Sequence, residues 1–185
     1  MLDAPVGGGP RAAQDGTLIA FVGGDAADVA AQQGVLHAVA NRVIHVGGAG
    51  AGYTVKLLVN LLWFGQALAG AEALTLAKLA GVDPFALRQA VSQSAAANGF
   101  MSESAEAFLA GDDFATYPLS RICEQLTGAL GLGTELGLPL ELSTLVSELH
   151  NRAFRYYGDT EGELLGARLI AQQVAERTHR TAGAP

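Results

Sequence analysis

From Ala51 to Leu79 the chain runs for nearly thirty residues without a proline, and alanine and leucine dominate the stretch. At the usual rise this is a helix of roughly 45 Å, stopped by Gly81. An element of that length forces the remaining chain to be organised around it. Its apolar residues, among them Leu57, Leu58, Leu61, Leu62, Trp63, Phe64, Leu68, Leu74 and Leu76, occupy much of the circumference. One small domain does not readily bury so much surface, so a partner subunit is expected to cover part of it. Lys56, Asn60, Gln66, Glu72 and Lys78 lie in the same stretch, too many polar groups for a membrane span. The expectation is a soluble protein with no membrane partner.

The rest of the chain is punctuated to match. Half the residues are hydrophobic but only 6% are aromatic, which favours close-packed helices over a β-sandwich. Asp83-Pro84 reads as an N-cap followed by proline at the first helical position, opening a helix to about Ala97. Further helices are expected at Ser102–Ala110, Leu119–Gly137, Leu140–Tyr156 and Glu163–Arg177, with a frayed tail from Thr178. Before the long helix the pattern differs. Thr17–Val22 and Arg42–Val46 read as strands flanking a helix from Asp25, its N-cap, to Val39, and Leu2–Val6 adds a possible third strand. So few strands do not make a sheet with two covered faces, and the first ~47 residues read as the tail of a larger α/β domain.

Charge and cysteine use narrow the function. A net charge of -7, a pI near 4.9 and no basic stripe argue against nucleic acid as a partner. The single cysteine, Cys123, excludes an internal disulfide and fits a small core residue in a reducing compartment; with no leader at the start, the cytoplasm is expected. His37, His45, His150 and His179 are scattered and read as surface or helix-end residues, so no metal site is expected. Glu103, Glu106, Asp112 and Asp113 read as solvated residues that cap helices.

The chemistry concentrates in Gly47-Gly-Ala-Gly-Ala-Gly-Tyr-Thr-Val-Lys56-Leu-Leu-Val-Asn60. A glycine-rich hinge leads into a helix on which Lys56 and Asn60, four residues apart, share a face and can reach one small ligand. The run is not a dinucleotide fingerprint. A G-x-G-x-x-G register from Gly48 meets Tyr53 where glycine is required, and one from Gly50 meets Val55. By itself the run also fits a plain hinge with Lys56 as a surface lysine. A second glycine cluster, in Asp3-Ala-Pro-Val-Gly-Gly-Gly-Pro10, offers backbone amides that a carboxylate can approach closely.

Together, Asp3–Gly9 and Gly50-x-Gly52-x-x-x-Lys56-x-x-x-Asn60 resemble the β-hydroxyacid dehydrogenase family, which contains 3-hydroxyisobutyrate dehydrogenase and is related to 6-phosphogluconate dehydrogenase. The resemblance covers nearly the whole chain. It implies a mainly α protein: residues 1–48 as the remnant of a Rossmann-type dinucleotide-binding α/β domain, 49–177 as a helical substrate and dimerisation domain behind a long interdomain helix, and 178–185 as tail. It implies an oxidoreductase using NAD or NADP on a β-hydroxy acid or the matching aldehyde or keto acid, with Lys56 as catalytic general acid/base, Gly7, Gly8, Gly9 and Asn60 binding the small-molecule substrate, and a homodimer or larger homo-oligomer.

Three departures from the family pattern stand out. Gly7 replaces a serine, which removes a hydroxyl contact. Glu124 and Gln125 stand in Leu119–Leu126 where the family has Lys-Asp, with Arg121 a turn earlier as a candidate replacement charge. The resemblance leaves most of the Rossmann half unaccounted for, so the chain is expected to be a C-terminal portion that is inactive alone. Gly158-Asp159-Thr160-Glu161 resembles a late family loop and is expected to be structural. The competing expectation is a non-catalytic helical dimerisation module.

Overall fold

The computed structural model describes residues 1–182, with side chains through Val174; Gly183 to Pro185, the end of the expected tail, lie outside the described residues, as does the side chain of His179. The chain divides into two compact units, Met1–Asn60 and Leu61 onward, with the division inside the long helix.

The first unit carries a three-stranded sheet: β1 (Val6–Gly7), β2 (Ile19–Gly23) and β3 (Arg42–Gly47), in that order. β1 runs antiparallel to β2, with Val6 opposite Ala20, and β2 runs parallel to β3, with Phe21 opposite Ile44. Ala20 and Val22 alternate inward and pack with Val29 and Ala40. Between β2 and β3 the expected single helix is two, α2 (Ala26–Ala31) and α3 (Gln33–Val39). Asp25 caps the first, accepting from the Ala27 N–H at 2.9 Å. The break is at Gln32, whose backbone leaves helical geometry just before Gly34, a poor helix former. The opening glycines lead into a short helix, α1 (Gly9–Gln14), whose first turn Pro10 presets.

The long helix, α4, spans Ala51–Leu79, as expected. Its length and its 18-residue mean hydropathy of 1.4 would suffice to cross a membrane. In the second unit part of its surface is protein core, and 33% of that apolar window is buried. Ala67, Leu68, Ala71 and Leu74 pack with Phe100, Met101 and Phe108, while Phe64 packs with Leu119, Ile122, Leu126 and Leu169.

Around α4 lie α5 (Pro84–Ser92), a π-helical turn (Phe100–Ser104) leading into α6 (Ala105–Leu109), α7 (Leu119–Glu135), α8 (Glu141–Tyr157) and α9 (Leu165–Ala182). Asp83 caps α5 through the Phe85 N–H. α5 stops five residues short of Ala97 because side chains compete for its backbone. Ser94 Oγ bonds the Val91 carbonyl at 2.8 Å and the Ala96 N–H at 3.1 Å, and Asn98 Oδ1 accepts from the Met101 N–H at 3.0 Å.

Asp113 and His150 depart from the expectation that they lie on the surface or cap helices, whereas Glu106 stays exposed. Asp113 pairs with Arg168 at 2.8 Å, and Arg168 also donates to the Phe108 carbonyl and sits 4.1 Å over the Phe108 ring. Glu106 pairs with Arg88. His150 is buried: its ring meets Phe64 edge-on at 5.3 Å, Nδ1 lies 2.9 Å from the Val146 carbonyl, and a side chain on Gly166 would come within 2.9 Å of Nε2.

Burial pushes the His150 imidazole below its usual value of 6.5. Its neutral form is what the fold accommodates. Its share of stability is therefore intact above about pH 6.5 and is lost as the pH falls from there through the lowered folded value. Denaturant titrations between pH 7.5 and 5 are expected to show this loss, and His150→Gln to lack that component. Equal pH slopes in the two chains would refute it.

Candidate functional site

The first turn of α4 follows β3 through the Gly47–Gly50 turn, and Gly50, at its cap, has φ of 88°. No side chain next to the helix start can satisfy its free N–H groups, since that place is taken by glycine. Asp3 does so from 47 residues away: the Gly50 N–H donates to Oδ1 at 2.6 Å and the Tyr53 N–H to Oδ2 at 2.9 Å. Asp3 is itself held by β2, exchanging backbone bonds of 3.0 and 2.8 Å with Gly23. The Gly50 bond is the main reason why the Asp3 carboxyl titrates below its ordinary range; partial desolvation opposes it, and the Tyr53 and Gly52 amides reinforce it. A strand, a glycine turn and a helix N-terminus thus resemble a phosphate cradle, but the chain's own carboxylate fills it. A dinucleotide phosphate does not fit there, which agrees with the broken fingerprint.

Lys56 lies three residues beyond Tyr53 and Asn60 four beyond Lys56, so the two share a helix face one turn apart; both are half-buried. Gly7 is buried in β1 opposite Ile19, and Gly8 and Gly9, with φ of 115° and 69°, form the turn into α1. A side chain on Gly8 would strike the Ala12 Cβ at 2.5 Å, so this turn requires glycine. The segment that leads into β1 meets the first turn of α4 at Asp3, and Gly7, Gly8 and Gly9 follow at the C-terminal end of β1.

The absence of serine at position 7 has a structural counterpart. A Cβ on Gly7 would lie 3.1 Å from the Phe21 ring, which packs diagonally across the two strands. Gly7→Ser is therefore expected to cost about 1 kcal/mol or more from crowding. Phe21→Leu should recover much of that cost, and strictly additive effects in denaturant titrations would contradict this account.

In the second unit, Arg121 and Glu124 are exposed on α7 and Gln125 is half-buried. Cys123 is a free, half-buried thiol, which burial and then Asp159 push above its usual value, against Arg155; it is poorly suited to nucleophilic work. The 158–161 loop is structural: Asp159 accepts from the Ser120 N–H at 2.9 Å, capping α7 where Pro118 has no side chain to do so, and Pro118 bridges Glu161. Sequence reasoning missed the Glu163 cluster, in which the Trp63 indole N–H donates to Glu163 at 3.1 Å and the Thr116 hydroxyl bonds the same carboxylate. The signal for it was a lone tryptophan within an apolar helix, whose N–H needs an acceptor. Among the described residues, no three histidines, cysteines or carboxylates gather as a metal site.

Comparison with known proteins gives a consistent picture. Residues 50–170 match the family model described as the NAD-binding domain of NADP-dependent 3-hydroxyisobutyrate dehydrogenase, and residues 1–47 match the NAD-binding domain of 6-phosphogluconate dehydrogenase. The chain is 32% identical to the 2-(hydroxymethyl)glutarate dehydrogenase of Eubacterium barkeri over 80% of this chain and 50% of that protein. It is 41% identical to the 3-hydroxyisobutyrate dehydrogenase of Pseudomonas aeruginosa over 53% of this chain and 33% of that protein. Among solved structures, the 3-hydroxyisobutyrate dehydrogenase of Salmonella typhimurium superposes with a TM-score of 0.77 at 28% identity, over 91% of this chain and 60% of that one. The chain therefore spans half or less of the length of these curated relatives.

Proposed function

The chain belongs to the β-hydroxyacid dehydrogenase family, and on that premise we propose that it supplies the substrate-handling portion of an NAD(P)-dependent oxidoreductase acting on a small β-hydroxy acid or the corresponding aldehyde or keto acid. The observation that supports this reading is the placement of Lys56 and Asn60, half-buried and one turn apart in the opening turns of α4. The nicotinamide carries the hydride. Lys56 exchanges a proton with the substrate oxygen as charge develops on it, Asn60 orients the hydroxyl or carboxylate through its amide, and the backbone at Gly7–Gly9 receives the carboxylate. The setting proposed is cytoplasmic, without nucleic acid or membrane.

Because the first turn of α4 is closed by Asp3 rather than open to a phosphate, the 185-residue chain by itself is expected to show no hydride transfer with either nicotinamide cofactor. Joined to a nucleotide-binding half of the same family, it is expected to turn over. Robust turnover by the 185-residue chain alone would overturn this division of labour.

A second reading, helical association, is favoured by one observation and is compatible with the first. In the second unit a cleft of about 380 Å³ between α4 and α8 is lined by Leu61, Leu68, Val146 and Leu149, and flanked by Leu62, Leu142 and Leu145, which are 62%, 81% and 52% exposed. We propose that a second copy of the chain covers it. Light scattering is expected to show a dimer or larger assembly that Leu62→Glu weakens, whereas a concentration-independent monomer would refute it.

A further inference from the structure

We propose that Asp3 is a positioning residue for Lys56 and Asn60: its carboxylate closes the first turn of α4 and so fixes how the helix face bearing the two side chains is turned. The proposal rests on the reading of Lys56 given above. A helix is ordinarily capped by a residue at its own start, which satisfies the N–H groups without tying the helix to anything else. In α4 that place is Gly50, and the cap comes instead from a residue bridged to β2. What Asp3 adds over a local cap is therefore a link between the sheet and the helix.

The link is tight. A Cβ on Gly52 would lie 2.4 Å from the Phe21 carbonyl oxygen and 2.7 Å from Asp3 Oδ2. One on Gly23 would lie 2.4 Å from Asp3 Oδ1 and 2.7 Å from the Gly48 carbonyl. Backbone approaches backbone here, so a shift at the carboxylate is passed on to the helix rather than absorbed by a flexible side chain. The second anchor, the Tyr53 N–H, lies three residues before Lys56 and seven before Asn60, about one turn and two turns along the same helix. Rotation or fraying of that first turn moves Lys56 first.

Amide hydrogen exchange on the 185-residue chain, with kinetics on the chain joined to a nucleotide-binding half, tests this. Asp3→Ala is expected to speed exchange at Gly50 and Tyr53 about tenfold. It should lower kcat roughly 10–100-fold, as misplacement of a catalytic group does, with KM changing far less. Asp3→Asn, which retains the shape and one acceptor, should recover much of kcat. If Asp3→Ala does not fold, the isosteric Asp3→Asn decides: faster exchange with a reduced kcat supports the proposal. Faster exchange with kcat within about twofold of the parent in either variant overturns it, as does an Asp3→Asn chain no more active than Asp3→Ala. Lys56→Ala is run alongside. If that variant keeps its turnover, the reading of Lys56 fails, whereas loss of turnover in Lys56→Ala with an indifferent Asp3 removes only the positioning role.

Discussion

Lys56→Ala is expected to lower kcat by about 10²–10⁴-fold in the chain joined to a nucleotide-binding half of the same family, the usual contribution of a placed proton-transfer group. The loss should appear equally in kcat and kcat/KM, because a proton moving to or from the substrate oxygen stabilises the transition state and not the bound substrate. Position is the reason for choosing this residue: Lys56 is the cation one turn from Asn60, on a helix whose first turn is held from the sheet by Asp3. Asn60→Ala should act more on KM, since an amide that orients the substrate already helps in the ground state. Steady-state kinetics across a range of pH separates the two effects. A Lys56→Ala enzyme with near-parental kcat throughout would make Lys56 a surface residue beside a hinge, and the family's mechanism would not extend to this chain.

The parts of the fold that were legible in the sequence are those written in local signals. α4 could be bounded from its apolar run and Gly81, and Asp25 and Asp83 announced their helices because a cap and its N–H groups lie two residues apart. The spacing of Lys56 and Asn60 was legible for the same reason. What escaped was set by distant partners. Asp3 reads only as the head of the Asp3–Gly9 run, and its bonds to Gly50 and Tyr53 span 47 and 50 residues. Glu163 meets Trp63 across 100 residues. His150 stands on a helix with many exposed residues, and only the presence of Phe64 and of Gly166, which leaves room for the ring, makes the site interior. The early end of α5 belongs to a third kind: the signal was local, in Ser94 and Asn98, but hydroxyl and amide groups competing for backbone leave no change in hydrophobic period.

The largest expected effect on stability is at Phe100. Its side chain is fully buried, meets Phe108 edge-on at 5.8 Å between centroids, and lies in the core formed with Ala67, Ala71 and Leu74 of α4. Phe100→Ala is expected to cost about 3–5 kcal/mol, a large part of the ~5–15 kcal/mol that holds a typical domain together. Gly70 faces the same ring: a Cβ there would lie 2.3 and 2.5 Å from two of its atoms, so α4 carries glycine in mid-helix to admit Phe100. Gly70→Ala should gain up to about 1 kcal/mol in helix propensity and lose more to the clash, for a net cost of about 1–2 kcal/mol. The two substitutions share one space, so their combination should cost clearly less than the sum, because the methyl on Gly70 enters the volume that the ring vacates. Urea titrations of the two single variants and the double variant measure that coupling. Additive costs would mean that α4 and the Phe100 turn do not pack as one core, and the long apolar helix would then need another explanation for its buried face.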